Sequence, residues 1–205
     1  MNLQRPLQVV APTLDGDVLT VLARADRAMT GRAIERESDA SHGGVQRALE
    51  HLVSEGIVTR ERAGRAYLYR LNRSHLAAPW VEGLASLRFE LIERLRTKVA
   101  GWELAAAAIV LFGAVARGQA GRGSDIDLLV VRPTAVSPDD PLWQEQVATL
   151  ESAAAAWTGN DARVLEFAVD ELAHEEPVLD AAAAEGIELY GSLRRLLQQV
   201  RRRHT

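Results

Sequence analysis

Two aspartates one residue apart, Asp125 and Asp127, open an apolar run over residues 126–131. In a strand, residues i and i+2 point to one face, so both carboxylates project together. Hard divalent cations take oxygen ligands, and Mg2+ commonly uses one or two carboxylates plus substrate phosphates. Upstream lies a glycine-containing turn, Gly113 to Gly118, carrying one arginine, Arg117. A second glycine-bearing loop, Gly121-Arg122-Gly123-Ser124, delivers the chain to Asp125. Paired carboxylates beside such a turn describe a metal and phosphate site. Asp-x-Asp by itself is commonly a solvated strand edge, so its meaning depends on the elements around it.

Those elements are legible. Residues 106–112 are continuously apolar, as in a strand buried on both faces. The turn 113–118 should start a short helix whose free amides face an anion. Ser124 caps or orients the following loop. A helix is expected in the later part of 138–157, ended by Gly159-Asn160. The strand 162–169 places Val164, Glu166 and Ala168 on one face. An acid within an apolar strand is costly unless paired or metal-bound, which singles out Glu166. A helix over 171–185 interrupted at Pro177, a short strand over 187–190 and a basic amphipathic helix over 192–203 complete this part. Arg201 to His204 could reach nucleic acid.

The series apolar strand, Gly113, Arg117-Gly118, then Ser124-Asp125-x-Asp127-Leu128-x-Val130 resembles the signature of the DNA polymerase β nucleotidyltransferase superfamily, particularly its minimal members. The resemblance implies a small mixed sheet flanked by helices and a site for Mg2+ (or Mn2+) and an NTP. It implies that Asp125 and Asp127 bind metal, with Glu166 as the third carboxylate, ligand and general base, in two-metal nucleotidyl transfer. Gly113, Ala114, Arg117, Gly118 and Ser124 would hold the nucleotide. Two positions depart from the family pattern: Ala114 replaces a serine and Glu166 replaces an aspartate. The acceptor is open among a protein side chain, an RNA end and a small molecule. Stand-alone members pair with toxins, so a protein or toxin partner is also implied. The alternative is a transcriptional regulator whose degenerate nucleotidyltransferase fold only senses a nucleotide or other ligand.

The N-terminal part has a different pattern. Leu14, Val18, Leu19, Leu22 and Ala25 recur at helical spacing, with Asp15 or Asp17 as a cap. A second helix is expected over 30–37 with Thr30 as N-cap. A third runs over about 41–55, with Val45, Leu49, Leu52 and Val53 inward and Gly56 closing it. Residues 57–62 and 66–71 flank a glycine-bearing turn and read as a hairpin. Three helices and a hairpin resemble a winged helix-turn-helix domain. The resemblance implies binding to double-stranded DNA, with the third helix in the major groove. Ser41, His42, Gly43, Gln46 and Arg47 would face the bases, and Arg60, Arg62 and Arg65 on the wing would face phosphates. A protein-docking adaptor is the competing use of such a module.

Between the two parts, the spacing of Leu84, Leu87, Leu91, Leu95 and Val99 predicts one helix over 81–99. It, or the basic C-terminal helix, is a candidate element of a homodimer, which two DNA half-sites would require; the alternative is that it packs on the sheet of the second part. The organisation expected is a winged helix over 1–75, a linking helix over 76–100, a nucleotidyltransferase domain over 101–192 and a basic tail over 193–205, an α+β chain. Residues 1–75 carry 11 arginines against 9 acids, and the remainder 13 basic residues against 19 acids, which sums to the net charge of −4. That asymmetry fits two modules with different partners. The chain has no cysteine, which removes disulfides, thiolate nucleophiles and thiolate zinc sites. No 18-residue apolar run and no leader-like N-terminus are present, so no membrane association and a cytoplasmic location are expected.

Overall fold

The structure is a computed structural model; it describes residues 1–204, with side chains through Arg202. Two compact units divide the chain: Gln4–Arg88 together with Asn2, and the chain from Phe89 onward together with Met1 and Leu3. The class is α+β, helices with two small sheets.

In the first unit, α1 (Leu14–Arg24), β1 (Met29–Thr30), α2 (Gly31–Ser38), α3 (His42–Ser54), β2 (Val58–Ala63), β3 (Ala66–Leu71) and α4 (Ala78–Ala85) follow in order. The three strands form an antiparallel sheet in the order β1-β3-β2. Side-chain oxygens start two helices, as Thr30 accepts from the Ala33 amide at 3.3 Å and Ser41 from the Gly44 amide at 3.3 Å. Val18, Leu22, Ile34, Val45, Leu49 and Leu71 fill the core. The two-residue strand β1 has no counterpart in the sequence reading, because two residues carry no period-2 signal. Its register partner in β3 defines it only after folding.

The start of α1 differs from expectation. Thr13 is the N-cap, without a side-chain capping bond. Asp17 is instead buried, 3.4 Å from Arg5 and 3.1 Å from Gln8 Nε2. Burial raises its pKa, while Arg5 and the Gln8 bond pull it down. The expected single helix over 81–99 is also two helices, α4 and α5 (Leu87–Ala100). The Ser86 amide closes α4 on the Glu82 and Gly83 carbonyls, and its hydroxyl donates to the Gly83 carbonyl at 2.9 Å. A serine bonding back to the preceding turn ends a helix without disturbing the apolar spacing. Periodicity therefore runs straight through the break.

In the second unit, α5 precedes β4 (Ala108–Phe112), α6 (Gly113–Ala116), β5 (Ile126–Arg132), α7 (Pro141–Thr158), β6 (Ala162–Ala168), α8 (Pro177–Glu185), β7 (Ile187–Gly191) and α9 (Leu193–His204). The sheet order is β6-β5-β4-β7. β4 is antiparallel to both neighbours, and α7 carries the chain across so that β6 runs parallel to β5. β4 and β5 are almost entirely buried, as their unbroken apolar runs require. Asp140 caps α7 by accepting from the Leu142 and Trp143 amides. Pro177 begins α8 rather than interrupting a longer helix, and a 3-10 turn, Asp170–Ala173, precedes it.

Candidate nucleotide site and basic face

Asp125 immediately precedes β5, and Asp127 is its second residue. From there β5 runs into the buried centre of the sheet, so the pair sits where polar loops meet an apolar floor. Gly113 makes this possible. It has φ +70°, and a Cβ there would collide with the Asp127 carboxylate, so the turn after β4 approaches the aspartate as only glycine can. Phe112, the preceding residue, pairs with Asp127 across the sheet. Gly118 also has positive φ, +71°, where the turn leaves α6.

The electrostatics are unfavourable for two ionised acids. Burial first, and the neighbouring Asp125 second, raise the Asp127 pKa, while Arg163 and Arg117 lower it. Arg117 Nη1 stands 3.3 Å from Glu185, and its Nε donates to Gln119 at 3.3 Å. Ala114 lies within α6, where a serine hydroxyl would stand in the family pattern. Ser124 orients its loop: its hydroxyl accepts from the Gly121 amide at 3.0 Å, and its carbonyl accepts from buried Asn160 Nδ2 at 2.8 Å.

Glu166 is not brought to this site. In the parallel register Asp127 pairs with Arg163, whereas Glu166 pairs with Val130, three positions further and on the opposite face. Its carboxylate is held by Arg132, Nε to Oε1 2.7 Å, and the Arg132 side chain is 13 % exposed. The acid that is costly in an apolar strand is thus satisfied by an arginine ion pair. The expectation of Glu166 as metal ligand and general base is corrected accordingly. The face of β6 that the aspartates share carries Arg163 and Leu165 instead, and Arg163 Nη2 is 3.0 Å from Asp125 Oδ2. Sequence reasoning does not single out Arg163 or Asn160. Strand parity holds the signal for Arg163, since positions 163 and 166 differ by an odd number and must lie on opposite faces. For Asn160 the signal is its amide, because only a donor can hold the Ser124 carbonyl.

Two carboxylates backed by a glycine turn fit one hard divalent cation, completed by ligand oxygens. Among the described residues no group of three or more acidic or histidine side chains could hold a metal.

In the first unit, His42, Gln46 and Arg65 line one cavity of about 640 Å3, together with Arg32, Tyr67 and Tyr69. Sequence reasoning passes over Arg32, because one arginine in a helix is usually only solvated. Ser41 is the N-cap of α3, and His42 Nδ1 is 2.6 Å from Glu35. Arg47 Nε donates back to the Gly43 carbonyl at 3.2 Å, and Arg47 does not line that cavity. On the hairpin, Arg60 lies over the Tyr67 ring at 5.1 Å, and Arg62 Nε donates to the Gly64 carbonyl at 3.3 Å. Arg201 pairs with Asp180 at 2.9 Å, and the side chains of Arg203 and His204 lie outside the described residues.

Residues 90–176 match the family described as a nucleotidyltransferase domain. The matched stretch lies within the second unit. Among solved structures, a mutant of the toxin–antitoxin MntA–HpeT aligns at 16 % identity over 55 % of this chain and 86 % of that one, with a TM-score of 0.40. A toxin–antitoxin with AMP-PNP aligns at 20 % identity over 56 % of this chain and 85 % of that one, with a TM-score of 0.37. No curated protein matches the chain. Among the described residues, no helix is long and apolar enough to cross a membrane.

Proposed function

We propose that this protein is a DNA-binding regulator whose nucleotidyltransferase domain binds a Mg-nucleotide and reports it to DNA. The observation that carries the reading is the altered acidic set. Asp125 and Asp127 are kept against Gly113, while the matching face of β6 presents Arg163 and Leu165 rather than an acid. Asp125 and Asp127 would hold one Mg2+, which when bound neutralises phosphate charge. Arg117 and Arg163 would bind the phosphates as bidentate donors. Ser124 and Asn160 keep the loop in place, and Gly113 and Gly118 supply the turn.

The first unit supports the DNA half of the reading. Its α1-β1-α2-α3-β2-β3 order and antiparallel sheet suit a winged helix. His42, Gln46 and Arg65 around one cavity put base-edge and phosphate partners on one surface. The proposed organisation keeps the winged helix in the N-terminal unit and the nucleotide site in the C-terminal one, in a homodimer on a two-fold DNA site.

The test is nucleotide binding by calorimetry with Mg2+, alongside a mobility shift on the protein's own upstream DNA. Binding of nucleotide that changes DNA affinity, without pyrophosphate release, is the expected result. A second reading, nucleotidyl transfer to an acceptor, is favoured by the intact aspartate pair. Pyrophosphate release that Asp125→Ala abolishes would establish it in place of the sensor.

A further inference from the structure

We infer that Arg163 decides what the aspartate pair binds. Its guanidinium holds the place of a cation at Asp125, so the site takes a divalent ion readily only when an anionic ligand draws the guanidinium away. The inference rests on the nucleotide-binding reading of this site and names how that site is regulated.

Three observations converge. The parallel register places Arg163 directly beside Asp127 on the face that bears both aspartates. Its Nη2 reaches Asp125 Oδ2 at 3.0 Å, so the bond falls on a carboxylate that a metal would need. The Arg163 side chain is 69 % exposed, so it is held at its tip and solvated along its length. An exposed ion pair of this kind is weak, which makes the guanidinium a reversible occupant rather than a fixed strut.

Arg132 on the other face is the contrast. It is largely buried and donates to both Glu166 and the Val136 carbonyl, which makes it a structural pair. For Arg163, Asp125 is the one ion-pair partner among the described residues. A polyphosphate offers the guanidinium bidentate oxygens that a single carboxylate oxygen does not. Phosphate binding would move the guanidinium from Asp125 to the ligand. The freed carboxylate could then join Asp127 in holding the divalent ion. Nucleotide and metal would thus bind with positive coupling, and each would raise the affinity for the other by the same factor.

The experiment is a Mn2+ titration followed by electron paramagnetic resonance, with and without a non-hydrolysable nucleotide, on wild-type protein and on Arg163→Gln and Arg163→Lys. In wild-type protein, Mn2+ alone should bind weakly and nucleotide should tighten it. Arg163→Gln should bind Mn2+ alone about fivefold tighter, from removal of one nearby positive charge, and should lose the share of the coupling that the guanidinium supplies, keeping the share that comes from direct contact of the ion with the phosphates. Arg163→Lys keeps the charge and should stay weak for Mn2+ alone, which separates charge from packing. Because residue 163 is exposed, all three proteins should stay folded, with Arg163→Lys melting with wild type and Arg163→Gln slightly lower for loss of the charge beside the aspartates. Equal Mn2+ affinity in wild type and Arg163→Gln, including no detectable binding to either, overturns the inference. If nucleotide still binds in that case, the reading of the site stands; if no nucleotide binds under any condition, both fall.

Discussion

At the residue scale, Asp127 sits where burial disfavours its charge. Its pKa is raised chiefly by burial, with Asp125 adding to it. A carboxyl whose folded pKa lies above its unfolded value contributes stability that is fully present below the unfolded pKa and lost as pH rises through the folded one. At neutral pH without a divalent ion, the ionised pair therefore destabilises the fold. Asp127→Asn should raise the melting temperature by roughly a degree or more. The gain should vanish when the comparison is made below about pH 4. Differential scanning calorimetry across pH checks this. Gly113 is the complementary case. Gly113→Ala places a methyl on the Asp127 carboxylate and strains a φ of +70°. A loss of about 1–3 kcal/mol is expected in denaturant melts, together with loss of nucleotide binding.

At the element scale, the loop before β5 is tied to the end of α7 through one side chain. Asn160 is buried and donates to the Ser124 carbonyl. Asn160→Ala removes that bond and leaves the carbonyl without its donor, at a cost of about 1–3 kcal/mol by chemical denaturation. The same change should weaken nucleotide binding more than a surface alanine would, because the loop delivers Asp125. Elements are largely legible in sequence where period and caps agree. Thr30 announces α2, the apolar spacing announces α3, and the unbroken apolar runs announce β4 and β5. The break at Ser86 is not legible, because the leucine spacing runs through it and the serine's own bonds to the preceding turn end α4. β1 is not legible because two residues acquire strand geometry only from their partner.

At the scale of the whole molecule, the proposal joins two activities in one chain, and each has its own test. Replacing Arg60, Arg62 and Arg65 together by alanine should weaken DNA binding across sequences. It should also lower the salt slope by about one for each phosphate that an arginine no longer neutralises. Fluorescence anisotropy at several salt concentrations measures that slope. The variant should bind nucleotide as wild type does, since the arginines belong to the other unit. If nucleotide changes DNA affinity, DNA must change nucleotide affinity by the same factor, so titrations in both directions form a closed check.

The amino-acid sequence determined the local features on its own: two aspartates at strand spacing, a glycine turn before them, helix caps, and an arginine-bearing hairpin. These follow from short-range sterics and periodicity, which act between neighbours in the chain. Tertiary structure alone decided which residues of β6 face the aspartates. The parallel register with β5 sets Arg163 beside Asp127 and turns Glu166 away to Arg132. A strand's side chains alternate whatever the register, so the sequence offers two faces, and the pairing chooses between them.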